Sequence, residues 1–243
     1  MKKILLGTAA LAFSASMAMA ASHMQTVRMG TEGAYPPYNF INDAGEVDGF
    51  ERELGDELCK RAELSCEWVT NDWDSIIPNL VSGNYDTIIA GMSITDERDE
   101  VIDFTQNYTQ PDPSAYLVMT GNEGLDLGSA VIAAQTGTIQ ASFVAESGAT
   151  LVEFATPDET IAAVRGGEAD AVLADKSFLK PISDEGGDLV MLDQEELIGG
   201  GVGLGVRESD GELKAKFDAA IQSMKDDGSL NALIEKWEIG APF

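Results

Sequence analysis

Few residues in this 243-residue chain are equipped for covalent or metal chemistry. There is one histidine, His23, and there are two cysteines, Cys59 and Cys66, seven positions apart. Such a pair fits a disulfide, half of a metal site or two unrelated thiols. A single histidine near the N-terminus cannot complete a Cys/His zinc site, so the disulfide is favoured. Its closed loop is small, and chain entropy then gives about 2–2.5 kcal/mol of stabilisation. No G-x-S-x-G elbow and no phosphate-binding loop occurs. Gly199-Gly200-Gly201-Val202-Gly203 is rich in glycine but opens no helix with a G-x-G-x-x-G pattern, and it reads as a flexible connection. With 42 Asp and Glu in the chain, two carboxylates close in sequence carry little information. Chemistry that makes or breaks bonds is poorly supplied; no metal and no cofactor is expected.

The elements that must position any binding group follow from composition and pattern. Against the 42 acids stand 15 Lys and Arg, for a formal charge of −27, while 44% of the residues are hydrophobic. That is too apolar for a charged disordered tail, and too anionic for nucleic-acid phosphates or an anionic membrane surface. Lys2 and Lys3 precede an apolar run from Ile4 to Met19, and Ala18-Met19-Ala20 gives an A-x-A cleavage site. Residues 1–20 therefore read as a secretory signal peptide, cleaved near Ala20, on an exported protein. Beyond it, strands are expected at Val27–Thr31, Cys66–Val69 and Tyr85–Ala90. Helices are expected over Phe50–Ala62 and Trp73–Val81 and from Thr95. Pro111-Asp112-Pro113 interrupts this series. A second one follows, with strands at Ala115–Met119, Val131–Ala134, Leu151–Phe154 and Ala171–Ala174 and helices from Ile139 and Asp158. Strands at Leu189–Leu192 and Val202–Val206 then lead to helices Glu212–Lys225 and Ser229–Trp237. Alternation of this kind predicts α/β layers on largely parallel sheets. An internal echo pairs Leu80–Gly91 with Val164–Asp175: a helix end, a glycine, an Asp three residues on, then an apolar strand. It suggests two lobes built alike, with a cleft at the carboxyl ends of their strands.

Recognition is better supplied than catalysis. Thr31-Glu32-Gly33-Ala34-Tyr35-Pro36-Pro37-Tyr38, Val47-Asp48-Gly49-Phe50-Glu51, Trp73-Asp74-Ser75-Ile76-Ile77-Pro78 and Ala90-Gly91-Met92-Ser93-Ile94-Thr95-Asp96-Glu97-Arg98 occur in that order. Gln135-Thr136-Gly137-Thr138, Asp170–Asp175 and Asp226-Asp227-Gly228-Ser229 through Lys236-Trp237 follow. Over essentially the whole chain beyond the leader, this resembles the periplasmic polar amino-acid-binding proteins of ABC importers (the family 3 solute-binding proteins), nearest to lysine/arginine/ornithine and arginine binders. The cysteine pair matches the helix–strand disulfide of the basic-amino-acid branch. At Ala90-Gly91 the sequence resembles arginine- and glutamine-type members, where the lysine/arginine/ornithine type has two serines.

The resemblance implies a two-lobed periplasmic binding-protein fold of type II, with the chain crossing twice between two α/β lobes and the ligand cleft between them. Residues 25–110 and 203–243 would form lobe 1, residues 114–199 lobe 2, and 111–113 with 200–202 the hinge. It also implies site roles. Arg98 would take the ligand α-carboxylate through two parallel bonds that a lysine cannot copy. Gly91 and Ser93 would add backbone and hydroxyl contacts, and Asp175 would take the α-ammonium from the other lobe. Thr138 would complete the carboxylate site at a helix N-terminus, with Gln140 a further contact. Tyr35 and Trp73 would sandwich the ligand side chain, and Glu32 would meet its distal cation. The implied function is capture of a polar, basic L-amino acid by a monomer that docks transiently on a membrane ABC permease, with no chemistry done. The alternatives are a binder of glutamine, an opine or ectoine and, in another class, a periplasmic cyclohexadienyl (arogenate/prephenate) dehydratase on the same fold.

Overall fold

In a computed structural model the described residues are 26–243; the expected leader and His23 lie outside them. In chain order the elements begin with β1 (Thr26–Thr31), β2 (Ala34–Tyr35), β3 (Asn39–Ile41), β4 (Val47–Asp48), α1 (Phe50–Arg61) and β5 (Ser65–Thr70). A 3₁₀ turn at Trp73–Ser75 leads into α2 (Ile76–Val81), then β6 (Thr87–Ile88), α3 (Asp96–Asp99) and β7 (Asp103–Phe104). A second series runs β8 (Ser114–Met119), β9 (Val131–Gln135), α4 (Ile139–Ser147), β10 (Thr150–Phe154), α5 (Pro157–Gly166), β11 (Ala171–Asp175), α6 (Lys176–Asp184) and β12 (Leu189–Glu196). The chain then returns through β13 (Gly205–Val206) to α7 (Gly211–Asp226) and α8 (Ser229–Trp237).

Two five-stranded sheets result, ordered β5-β1-β6-β13-β7 and β10-β9-β11-β8-β12, with β2-β3-β4 as a small third sheet. The fold is therefore two α/β lobes joined by two crossings. Both large sheets are mixed, which corrects the expectation of largely parallel ones. β1 is parallel to β5 and β6, and β9 to β10 and β11, because helices connect them. β8 and β13, the first strands after each crossing, run antiparallel to their neighbours, since no helix has turned the chain round. Helices cover both faces of each sheet, so side chains of both parities are buried: Ala115 and Leu117 of β8 join one core, Tyr116 and Val118 another. In the first lobe Val27 and Met29 pack with Leu54, Leu58, Phe217 and Ile221, while Ile76, Leu80, Ile88 and Phe104 fill the other face.

Local chemistry sets the element ends. Gly49 starts α1 at φ 115°, where a Cβ would come within 2.6 Å of the Tyr38 carbonyl. Thr156 caps α5 in a capping box with Glu159. Cys59 of α1 and Cys66 of β5 are bonded to each other, clear of the cleft.

The internal echo is a repeated turn. Gly83 and Gly167 both adopt the left-handed conformation, at φ 79° and 73°. Asp86 then accepts the Arg28 amide at 3.0 Å while its own amide donates to the Arg28 carbonyl at 2.9 Å. Asp170 makes the same exchange with Val131, at 2.8 and 2.7 Å.

Three local expectations need amendment. The strand expected at Tyr85–Ala90 keeps only two ladder residues, because Tyr85 turns its ring inward and bonds the Ile76 carbonyl. α6 went unread because Pro181 breaks its pattern. The glycine run is not a loose connection. The Tyr108 amide donates to the Val202 carbonyl at 2.7 Å and the Thr105 amide to the Leu204 carbonyl at 3.0 Å, so the stretches leading into the two crossings lie side by side. A Cβ on Gly201 would meet the Thr109 carbonyl at 2.7 Å, and one on Gly199 would meet Ser93 Oγ at 3.0 Å. Close packing, not mobility, requires these glycines.

Candidate ligand-binding cleft

Four parallel strands aim their carboxyl ends at the cleft. Glu32 follows β1, Gly91 and Ser93 follow β6, Gln135 ends β9 and Asp175 ends β11. This is where open α/β sheets present ligand-binding loops. All nine residues expected at a ligand, Glu32, Tyr35, Trp73, Gly91, Ser93, Arg98, Thr138, Gln140 and Asp175, line one cavity.

Arg98 lies in α3, whose first turn is capped by Thr95. Its Nη1 donates to the Ser93 carbonyl at 2.8 Å, its Nη2 to the Gly137 carbonyl of the other lobe at 3.2 Å, and its guanidinium lies 5.4 Å from the Trp73 ring centre. Burial lowers its pKa to about 10 against the pull of Asp175 and Glu97, which leaves it charged at neutral pH. Gly91 sits at φ 64° in front of the Tyr35 ring, an arrangement that aims its loop into the cavity.

Asp175 accepts from Tyr35 Oη at 2.8 Å and from Gln140 Nε2 at 2.9 Å. Burial pushes its pKa up to about 7, with Asp112 adding to the rise while these bonds and Arg98 oppose it. Gln140 is itself buried and bonds Ser114 Oγ at 3.0 Å, so its side chain orients the acid. Tyr35 stacks on Phe178 of the second lobe, with ring centres 4.5 Å apart. Thr138 donates its hydroxyl to the Gln135 carbonyl at 2.7 Å and accepts the Ala141 amide at 3.1 Å, capping α4. That hydroxyl proton is committed within its own turn.

Glu32 Oε1 accepts from Gln135 Nε2 at 2.7 Å, across the two lobes. Burial pushes its pKa up to about 7; the Gln135 bond opposes that rise, and Asp72 and Asp158 add to it. Glu32–Gln135, Tyr35–Asp175 and Arg98–Gly137 thus hold the lobes together around the cavity. Among the described residues no group of three or more His, Cys, Asp and Glu is placed to hold a metal ion.

Two residues, one lining the cavity and one behind it, are not singled out as contributors by the sequence. Gln135 was visible only as part of a motif. Glu51 is fully buried, yet it accepts the Gly91 amide at 2.6 Å, Asn39 Nδ2 at 2.7 Å and the Tyr108 hydroxyl. Asn39 in turn accepts the Gly33 amide at 2.7 Å, so one buried network braces both first-lobe site loops. An acid in the first helical turn is normally solvated, and nothing in the sequence separates Glu51 from Glu53.

The family model for bacterial extracellular solute-binding proteins, family 3, matches residues 27–241. The chain is 31% identical to the L-arginine-binding protein of Pseudomonas aeruginosa over 253 residues, 98% of this chain and 96% of that one. It is 33% identical to the histidine-binding periplasmic protein of Escherichia coli K12, over 98% and 97% of the two chains. Among solved structures, a periplasmic His/Glu/Gln/Arg/opine family-binding protein from Silicibacter pomeroyi in complex with lysine shares 72% identity. That match covers 89% of this chain and all of the other, with a TM-score of 0.86.

Proposed function

The chain belongs to the bacterial extracellular solute-binding proteins of family 3, and from that premise we propose that it captures a cationic L-amino acid (lysine, arginine or ornithine) for an ABC importer. One observation carries the choice of ligand: three charged groups, Arg98, Asp175 and Glu32, share a single cavity. One cation and two anions complement an α-carboxylate, an α-ammonium and one further positive charge on the side chain. Each is desolvated, and a desolvated charge needs its opposite. The names of the relatives support the same class: arginine and histidine binders, and a structure holding lysine.

In this reading the leader over residues 1–20 exports the protein to the periplasm. Residues 25–110 and 203–243 act as one rigid lobe and 114–199 as the other, with 111–113 and 200–202 between them. The first lobe captures ligand through Arg98, Ser93, Gly91, Tyr35 and Trp73. Closure brings in Asp175, Gln140 and Thr138, and the closed monomer docks on the permease.

The test is a thermal-shift and calorimetric screen over the twenty amino acids, ornithine, citrulline, octopine and ectoine. A ligand at 100 times its dissociation constant adds about 2.7 kcal/mol of stability. Cationic amino acids should give the largest shifts, and Glu32→Gln should weaken them selectively while leaving glutamine binding in place. A shift by glutamine with none by lysine, arginine or ornithine overturns the ligand class. Release of phenylpyruvate or phenylalanine from prephenate or arogenate would overturn the non-enzymatic reading.

A further inference from the structure

Gln135 ends β9 at the floor of the cavity and is only 7% exposed. Its Nε2 carries two hydrogens and uses both, one on Glu32 Oε1 at 2.7 Å and one on the Ala155 carbonyl at 3.0 Å. The second bond pins the side chain to its own lobe, just before the Thr156 cap of α5, and the first reaches across to the other lobe. With the amide nitrogen committed, its orientation is fixed. Among the described residues neither Gln135 Oε1 nor Glu32 Oε2 receives a hydrogen bond, and both side chains line the cavity.

Two acceptors with free lone pairs, contributed by opposite lobes, suit a group that carries several donors and no acceptor. Ammonium and guanidinium meet that description. A carboxamide meets it only in part, because its carbonyl would face an oxygen. We propose that Gln135 is a specificity-determining residue, which forms with Glu32 a two-lobed receptor for the distal cation of the ligand and so makes closure depend on that charge. The inference rests on the proposed capture of a cationic amino acid. It adds that the side-chain charge is recognised by a pair of residues that exists only when the lobes meet. A ligand lacking the cation would still engage Arg98 and Asp175 but would leave this pair without a donor, at the cost of desolvated acceptors.

The experiment compares each cationic ligand with its uncharged isostere: lysine with norleucine, and arginine with citrulline. Dissociation constants are measured by calorimetry on the wild type and on Gln135→Leu and Gln135→Asn. The asparagine variant keeps the amide but withdraws it by one methylene, which guards against a leucine variant that fails to fold. In both variants the ratio of lysine to norleucine affinity should fall about tenfold or more, the scale of one charge-assisted hydrogen bond. Affinity for norleucine itself should hold or rise. A purely structural role would lower both members of a pair alike and leave the ratio unmoved, and that result overturns the inference. A wild type that shows no preference for the cationic member overturns the proposed ligand class instead, so the two failures are distinct.

Discussion

The hydroxyl of Tyr35 donates to Asp175 Oδ2 at 2.8 Å and accepts the Asp175 amide at 3.2 Å, joining residues 140 positions apart across the cleft. One phenol therefore serves both the carboxylate and the backbone at the end of β11. Tyr35→Phe keeps the stack on Phe178 and removes only these bonds. It should weaken lysine and glutamine by a similar factor, about tenfold, because it touches Asp175, the acid proposed to take the α-ammonium that both ligands carry. Calorimetry with both ligands checks this; a loss confined to lysine would assign Tyr35 to the distal end.

Arg98 spans the cleft from Ser93 to Gly137 with two different nitrogens. Arg98→Ala should lower the affinity of every α-amino acid by about a hundredfold or more, since Arg98 is proposed to make two charge-assisted bonds to the α-carboxylate. Arg98→Lys should recover little, because a point charge cannot supply a planar fork. Titrating both variants with lysine, arginine and glutamine tests it, and retained affinity for any of them would remove Arg98 from the carboxylate site.

Glu32 and Asp175 both titrate near pH 7 in the closed cleft, chiefly through burial, whereas solvated carboxylates titrate near 4. Closing without ligand therefore takes up protons between about pH 4 and 7. It becomes easier as the pH falls through that window and harder as the pH rises toward 7, by about tenfold per acid per pH unit. Asp72, Asp158 and Asp112 strengthen the effect, and Arg98 moderates it at Asp175. Small-angle scattering of ligand-free protein should give a smaller radius of gyration at pH 5 than at pH 8. Saturating lysine should erase the difference, because its two cations replace the protons. A larger radius at the lower pH would contradict this coupling.

Glu51 joins three buried donors. Glu51→Leu leaves all three unpaired at about 1–3 kcal/mol each, which should lower Tm by about 10 °C or more. Burial raises the Glu51 pKa, while the bonds from Tyr108, Gly91 and Asn39 oppose the rise. Glu51→Gln keeps one acceptor oxygen for the Gly91 amide and the Tyr108 hydroxyl and should lose less. Melting curves of the two variants decide, and equal losses would mean that the charge itself is needed.

The repeated turn was legible because it depends on residue types with few substitutes: a glycine that must be left-handed and an Asp that must cap the neighbouring strand. The same holds for the cleft, where Glu32, Gly91 and Asp175 stand just beyond or at strand ends that the alternation already located. Asp86 shows where legibility stops. Burial alone would raise its pKa, yet bonds from Arg28 and Arg207 hold it at about 2. Asp170 has no such arginines among the described residues. No pattern near Asp86 names Arg207, which lies 121 positions away. Glu51 and Gln135 went unread as contributors for the same reason, since their partners are brought to them by tertiary packing. The strand direction of β8 and β13 also depends on where each crossing delivers the chain, which periodicity does not encode.

The stretches of chain that lead into the two crossings are hydrogen-bonded side by side, Thr105 to Leu204 and Tyr108 to Val202, and form a strap at the edge of the first lobe. A strap flexes across its flat face but resists sliding and twisting, because either would break its ladder. In the proposed closure, such a strap favours a swing of the lobes like that of a book about its spine. A swing that is the same for every ligand leaves selectivity to the residues that meet when it ends, where the pages close.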